Sequence, residues 1–285
     1  MHTGPNMEYV NTICLVVSIL YLFAAIAYGQ LLLSGKKQAS LPTWILGTGL
    51  VTNAAEILLR GAESGAAGGA PFATTSGFMT IFAFLLGLIY LFLERRYSRR
   101  YRIASLGAFH VPVVFAVHSA AFYLKQPLGN IPDLNKGTVF VLHVVPAICA
   151  YAALAAAFVS GIAFLLLERQ LRRKRFGLLF RGLPNLELVE RMNAAAVRIG
   201  LPLLGFGLFM GLVRGYMEFG PAFKWDPKVW VSFLIVIIYG LQLILRRFAG
   251  WEGRKAVLIS IVGFFLIVLN VSVLNIYFSE LHGFR

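Results

Sequence analysis

The sequence predicts an all-α protein, a polytopic membrane helical bundle of about eight transmembrane helices that forms a single integral membrane domain over residues 1–285. The chain is 59% hydrophobic and only 13% charged, whereas a soluble domain carries about 25% charged residues. Its apolar runs are long enough to cross a bilayer as helices, which takes about 20 residues. They lack the alternation over about ten residues that strands of a membrane barrel show.

Eight apolar segments are predicted to span the membrane. In chain order they are Tyr9–Leu33, Pro42–Leu59, Thr75–Leu93, Arg102–Leu124, Thr138–Leu167, Val197–Tyr216, Val229–Phe248 and Ala256–Phe278. The second segment is the shortest, and it carries the polar residues Asn53 and Glu56. Because the number of spans is even, we expect both termini on the same side of the membrane.

The basic residues between the spans predict the orientation. Alternate connections hold 19 of the 26 Lys and Arg residues: Lys36 and Lys37, five arginines in 95–102, eight basic residues in 169–198, and Arg246, Arg247, Arg254 and Lys255. The positive-inside rule places these connections in the cytoplasm. We therefore expect extracytoplasmic termini, a multi-pass protein of the bacterial cytoplasmic (inner) membrane, and a basic cytoplasmic loop at about 168–197. Because the positive charge flanks apolar runs, the net charge of +14 does not indicate nucleic-acid binding.

The largest cytoplasmic segment contains a possible helix start. Asn185 follows Pro184 and can cap a helix, and Glu187 in the first turn suits the helix dipole. Leu186, Val189 and Met192 then share one face, which predicts a short helix lying on the membrane surface before the sixth span.

Glycines recur every four residues in the sixth span, at Gly207, Gly211 and Gly215. This spacing lets membrane helices approach closely. We expect close helix packing here, and a hinge is the alternative.

An aromatic loop at about residues 214–230 separates the sixth and seventh spans. It contains five aromatic residues among its charged residues and prolines: Tyr216, Phe219, Phe223, Trp225 and Trp230. Lipid cannot satisfy its polar groups, and tryptophan and tyrosine favour the membrane interface. The predicted orientation places this loop on the extracytoplasmic side.

The five histidines all fall outside the predicted cytoplasmic segments. His143 and His282 lie at the outer ends of spans, on the side of the aromatic loop, whereas only their spacing recommends His110 and His118. Neutral imidazole is a common ligand of haem iron. Two outer histidines could therefore hold the iron while aromatic side chains cover the porphyrin and the cations Arg214, Lys224 and Lys228 meet its propionates. The alternative is that these are interfacial residues and anchors.

The two cysteines, Cys14 and Cys149, lie within apolar runs and form no Cys-x-x-Cys-His attachment motif. We therefore expect any haem to be haem b, held non-covalently. No His-x-x-x-His or Glu-x-x-His spacing predicts a metal site independent of haem. No glycine-rich phosphate loop or recognisable nucleophile signature is present, so we do not expect an enzyme that acts alone.

Several motifs in the second half of the chain resemble those of the cytochrome c assembly transmembrane family, which includes CcsA, CcmC and HemX. Trp225-Asp226-Pro227-Lys228, with Gly220 and Phe223 before it and Tyr239 after it, resembles the family's tryptophan-rich haem-handling motif. Leu142-His143-Val144, the Gly250–Arg254 turn, and Asn275 with Leu281-His282 resemble its flanking segments.

The resemblance implies a haem-binding membrane protein that handles haem at the extracytoplasmic face for cytochrome c assembly. It implies His143 and His282 as the axial ligands of haem iron. It also implies a haem-binding platform made of Phe219, Gly220, Phe223, Trp225, Asp226 and Trp230, with Lys228 and Arg214 as cations. The implied partners are haem, a second membrane subunit that completes a haem-lyase or synthase, and apocytochrome c.

The chain departs from the family pattern at several positions. Phe219 and Phe223 stand where the full motif has tryptophans, Val229 replaces an acidic residue, and Ile244 replaces a membrane-embedded histidine. With these departures the chain resembles the HemX-like branch of the family more than the haem-transferring members. An alternative is therefore a regulator of haem biosynthesis that influences glutamyl-tRNA reductase levels. A membrane carrier or scaffold without haem is a third hypothesis.

Overall fold

The computed structural model describes residues 5–34, 40–66, 70–97, 103–124, 137–174, 177, 180, 182–220 and 227–271. Within these ranges the chain is helical and contains no strand, which confirms the all-α prediction. The eight α-helices described there are α1 Pro5–Ser34, α2 Ser40–Ala66, α3 Thr75–Tyr97, α4 Gly107–Tyr123, α5 Thr138–Arg172, α6 Leu186–Phe219, α7 Pro227–Phe248 and α8 Arg254–Leu269. A short 3₁₀-helix, Ile103–Leu106, leads into α4.

Six of these helices are long and apolar enough to cross a membrane, among the residues that the structure describes: α1, α3, α4, α5, α6 and α7. The chain is therefore a multi-pass membrane protein. Helix α2 has 27 residues, but it carries Glu56 and Arg60 in its second half. The described part of α8 has 16 residues, fewer than a typical spanning helix needs. Each of the eight predicted spans corresponds to one helix.

The prediction of a separate surface helix before the sixth span is wrong. Helix α6 begins at Leu186 and runs without interruption to Phe219, so the predicted helix is the first turns of α6 itself. Val189 and Met192 are buried in the protein and do not lie against lipid headgroups. No glycine or proline separates Asn193 from Arg198, so nothing in the sequence ends the helix before the apolar run.

The chain divides into two compact units, and residues 1–136 with 166–186 form the first. In it, α1 packs against α2 and α4, and α3 packs against α2 and α4. Tyr21, Tyr28 and Tyr90 are fully buried in this unit. Their hydroxyls have polar partners: Tyr21 accepts a hydrogen bond from Asn53, and Tyr90 donates one to the Ala104 carbonyl at 3.0 Å.

Residues 137–165 and 187–285 form the second unit. Its core contains an alanine-rich face of α5 together with Leu154, Val197, Ile235 and Tyr239. Helix α7 packs against α8. Asn193 of α6 donates hydrogen bonds of 2.7 Å to the Ala157 carbonyl and to Ser260 Oγ, and so connects three helices. The prediction of a single integral membrane domain stays a prediction.

The turn between α7 and α8 is held by an acidic side chain of α6. Glu190 Oε1 accepts hydrogen bonds from Arg246 Nη1 at 2.9 Å and from the Gly253 backbone N–H at 2.8 Å. Gly250 and Gly253 both have a φ of 62°, a conformation that side chains with a Cβ rarely adopt. The glycines of this Gly-Trp-x-Gly-Arg segment therefore form the turn, and Glu190 fixes it.

Candidate functional site

His143 lies in the second turn of α5, half-buried in the second unit. Its Nδ1 is 2.7 Å from the backbone carbonyl oxygen of Gly207 on α6. A carbonyl oxygen only accepts hydrogen bonds, so Nδ1 must carry the proton and donate it. In the neutral imidazole the lone pair then resides on Nε2, which is the form that binds a metal.

Two glycines of α6 accommodate this histidine. A Cβ at Gly211 would lie 2.7 Å from both Cε1 and Nδ1 of His143, closer than such atoms approach without displacement. A Cβ at Gly207 would lie 3.4 Å from that of Ala147. The glycine spacing therefore produces the predicted close packing of α5 and α6. It also leaves a recess for an imidazole, a role that the sequence pattern alone did not indicate.

Arg214 lies one turn beyond Gly211 on α6, and its side chain is 15% exposed. The guanidinium carbon is 4.9 Å from the ring centroid of Phe140, which is one turn before His143 on α5. Arg214 Nε also donates to Glu218 Oε1 at 3.1 Å. The structure thus brings a cation and an aromatic ring to the turns next to the imidazole. Phe140 was missed because it precedes the recognised motif.

The remaining predicted residues are only partly described. Gly220 follows α6 with a φ of 59°, which suits a change of chain direction. Trp230 is 61% exposed and lies against Phe233, with 6.4 Å between ring centroids. The half-buried Lys228 is in the first turn of α7, where its carbonyl accepts a hydrogen bond from Ser232 at 2.8 Å. The Phe219 side chain and the whole of Phe223, Lys224, Trp225, Asp226 and His282 lie outside the described residues, so the pairing of His143 with His282 stays a prediction.

The described residues of this site fit one face of a haem. His143 offers a neutral nitrogen in a fixed tautomer, Gly211 lets its ring pack against α6, and Arg214 provides a charge of the sign that propionates require. Haem iron is commonly held by such an imidazole, whose basicity is tuned by the hydrogen bond of its other nitrogen.

The other two histidines in the described part of the chain are fully buried in the first unit. His118 Nε2 is 2.9 Å from Glu56 Oε2, and His118 Nδ1 is 2.9 Å from Ser18 Oγ. His110 Nδ1 donates to the Leu106 carbonyl at 3.1 Å, and its ring stacks on Tyr90. Both imidazoles therefore have partners within the protein. The sequence spacing did not indicate the partners that lie on other helices.

Comparison with known proteins identifies similar chains. The sequence profile described as Cytochrome C assembly protein matches residues 71–282. The chain is 24% identical to the cytochrome c biogenesis protein CcsA of Prochlorococcus marinus (strain NATL1A) over 94% of this chain and 92% of the relative. It is 26% identical to CcsA of Mesostigma viride over 64% and 68% of the two chains. It is also 25% identical to Protein HemX of Bacillus subtilis (strain 168), over 51% of this chain and 52% of HemX, so the match spans about half of that relative.

Proposed function

Because the chain belongs to the cytochrome c assembly protein family, and is thus a membrane protein of cytochrome c biogenesis, we propose that it binds haem b non-covalently and handles it at the extracytoplasmic face. The observation that carries this proposal is the hydrogen bond from His143 Nδ1 to the Gly207 carbonyl. It fixes the tautomer in which the lone pair is on Nε2, the nitrogen that would coordinate the iron. The histidine lies on the side of the chain where the aromatic loop is predicted.

Each residue of the site has a role in this proposal. His143 and His282 would hold the haem iron through their imidazoles. Arg214 and Lys228 pair with propionates, and the aromatic loop forms a platform with Phe219, Gly220, Phe223, Trp225, Asp226 and Trp230. Haem supplies the iron and a flat apolar macrocycle, and the chain supplies orientation and charge.

We further propose that a second membrane subunit and apocytochrome c act with this chain in a bacterial cytoplasmic membrane. The chain itself would present haem, and thioether formation would be shared with the partner. The cysteine thiols that such a bond requires would come from the apocytochrome, since Cys14 and Cys149 both lie within helices of this chain.

A second candidate function is regulation of haem biosynthesis in the manner proposed for the HemX-like branch. The resemblance implies a membrane-embedded histidine where Ile244 stands, and Ile244 is 55% exposed on α7, as an apolar side chain facing lipid would be. A deletion strain separates the two functions. Loss of c-type cytochromes at normal haem precursor levels would support assembly, whereas altered glutamyl-tRNA reductase abundance would support regulation.

The detergent-purified protein from haem-replete cells is expected to show a Soret band corresponding to about one haem per chain. Because the chain has no attachment motif, acid–acetone should extract this haem completely. Absorption spectroscopy and a pyridine haemochrome assay of extract and residue measure both properties. Colourless protein would contradict haem binding, and haem that stays with the polypeptide would contradict non-covalent binding.

Cysteines introduced one at a time before and after α6 are expected to be labelled from opposite sides of the membrane. Lys174→Cys, in the turn after α5, should react with a membrane-impermeant maleimide only after the membrane is permeabilised. Lys224→Cys, in the aromatic loop, should react in intact spheroplasts. The parent chain is the control, since both native cysteines lie within apolar helices. The reverse labelling pattern would contradict an extracytoplasmic site.

A further inference from the structure

Three helices of the first unit bring together three side chains of metal-binding type. Cys14 of α1, Glu56 of α2 and His118 of α4 are each fully buried. One donor atom from each lies within 4.8 Å of the other two. Ionisable groups inside a membrane bundle are costly, and they usually mark a functional site.

The imidazole of His118 is held as a metal ligand usually is. A metal-bound histidine typically uses its second ring nitrogen for a hydrogen bond to an oxygen, which fixes the ring. Ser18, one turn from Cys14 on α1, provides that oxygen at 2.9 Å from Nδ1. Nε2 then faces Glu56 Oε2 at 2.9 Å. A carboxylate oxygen only accepts hydrogen bonds, so Nε2 carries the ring proton in this contact, and the Ser18 hydroxyl donates to Nδ1. A cation bound between Nε2 and Oε2 would take the place of that proton.

We propose that Cys14, Glu56 and His118 form an intramembrane binding site for one thiophilic transition-metal ion, Zn²⁺ or Cu⁺. Thiolate and imidazole together select these ions, whereas Mg²⁺ and Ca²⁺ prefer oxygen ligands. Binding forms a bond from the metal to Cys14 Sγ and releases the thiol proton to solvent. The imidazole stays neutral because its single proton moves from Nε2 to Nδ1, where the Ser18 hydroxyl turns to accept it. No redox change is involved.

Arg60 sets the charge balance of the site. Its side chain lies one turn from Glu56 and forms an ion pair of 2.9 Å with Oε1, the other carboxylate oxygen. Before metal binding, the carboxylate and the guanidinium cancel. A bound Cu⁺ with a Cys14 thiolate keeps the sum at zero, whereas Zn²⁺ adds one positive charge. Arg60 should therefore oppose a cation, and Zn²⁺ more than Cu⁺.

Metal titration of the full-length protein, purified in detergent and stripped with a chelator, tests the site. We expect one ion per chain, and a thiolate-to-metal charge-transfer band with Co²⁺ as the probe for Zn²⁺. Cys14→Ser should remove this band and weaken affinity by about tenfold or more, since even loss of a supporting residue costs about 10- to 100-fold. Cys149→Ser is the matched control, because it removes the second of the two cysteines of the chain, and it should change neither. Separate titrations with Zn²⁺ and with Cu⁺ under reducing conditions identify the preferred ion.

Arg60→Gln provides a test in the opposite direction. Removing the neighbouring positive charge should raise affinity for a divalent ion, whereas a cluster that only supports the fold would show no gain. Should Cys14→Ser fail to fold, X-ray absorption of the zinc-loaded Cys149→Ser protein must still show one sulfur ligand. Metal content far below one ion per chain, equal affinity in the two cysteine variants, or an all-oxygen and nitrogen shell would overturn the proposal. The metal titration is repeated with the His143→Ala variant. An unchanged metal affinity in that variant shows that the metal result does not depend on haem binding.

Discussion

Replacing His143 with alanine is expected to abolish the Soret band of the purified protein while the chain still folds. The imidazole is half-buried near the start of α5, and its described hydrogen bond is to the Gly207 carbonyl. Its loss would remove the proposed ligand of the haem iron and leave a small gap beside Gly211. Because the side chain is only half-buried, the cost to stability should stay near the average of about 1 kcal/mol.

Gly211→Ala tests the same geometry without removing the ligand. The new methyl group would lie 2.7 Å from two ring atoms of His143, so the imidazole or the helices must shift, and we expect the hydrogen bond to Gly207 to be lost. Losing such an orienting hydrogen bond typically costs 10- to 100-fold in metal affinity. We expect haem affinity to fall by about that factor. Haem titration of the apoprotein measures it.

Gly205→Ala is the matched control on α6. A Cβ at this position has no other atom within 4 Å, and it makes the same chemical change in the same helix. Haem affinity should remain unchanged. Equal losses in the two glycine variants would indicate a general effect on α6, and an intact Soret band in His143→Ala would contradict axial ligation by this residue.

The fold was largely predictable because lipid imposes a simple rule on sequence. A spanning segment must satisfy its backbone internally and be apolar for about 20 residues, so all eight helices appear as apolar runs. The start of α6 was not predicted correctly. Val189 and Met192 follow a helical period on a polar background, and such a pattern fits a helix on a membrane surface as well as one buried in the protein.

The candidate sites depended on information that spacing does not carry. His143 was identified from the residues next to it in the sequence. The contacts with Gly207 and Gly211 that hold its ring are between two helices, and the sequence does not show them. Glu56 and His118 meet from positions 62 residues apart, so no local motif could have joined them. Their burial is visible only when α1, α2 and α4 are packed together.

Glu56→Ala is expected to be among the most destabilising single substitutions in the first unit. Glu56 accepts from Arg60 at 2.9 Å through Oε1 and meets His118 through Oε2, and neither its own side chain nor that of His118 is exposed. Removing the carboxylate leaves the guanidinium of Arg60, whose side chain is 8% exposed, buried without its counter-charge. Breaking one side of a buried pair typically costs about 3–5 kcal/mol. Reversible SDS titration followed by circular dichroism measures the change in unfolding free energy.

Glu187→Ala is the matched control for this effect. Glu187 and Arg191 form an ion pair with the same i,i+4 spacing on α6, but their side chains are 66% and 69% exposed. Water screens that pair, so its loss should change stability by about 0.5 kcal/mol or less. Glu56→Gln should fall between the two alanine variants, because the amide keeps a hydrogen-bonding oxygen for Arg60 while losing the charge. If Glu56→Ala and Glu187→Ala shift unfolding equally, burial does not determine the strength of the Glu56 network, and the carboxylate must be reached by water in the folded protein.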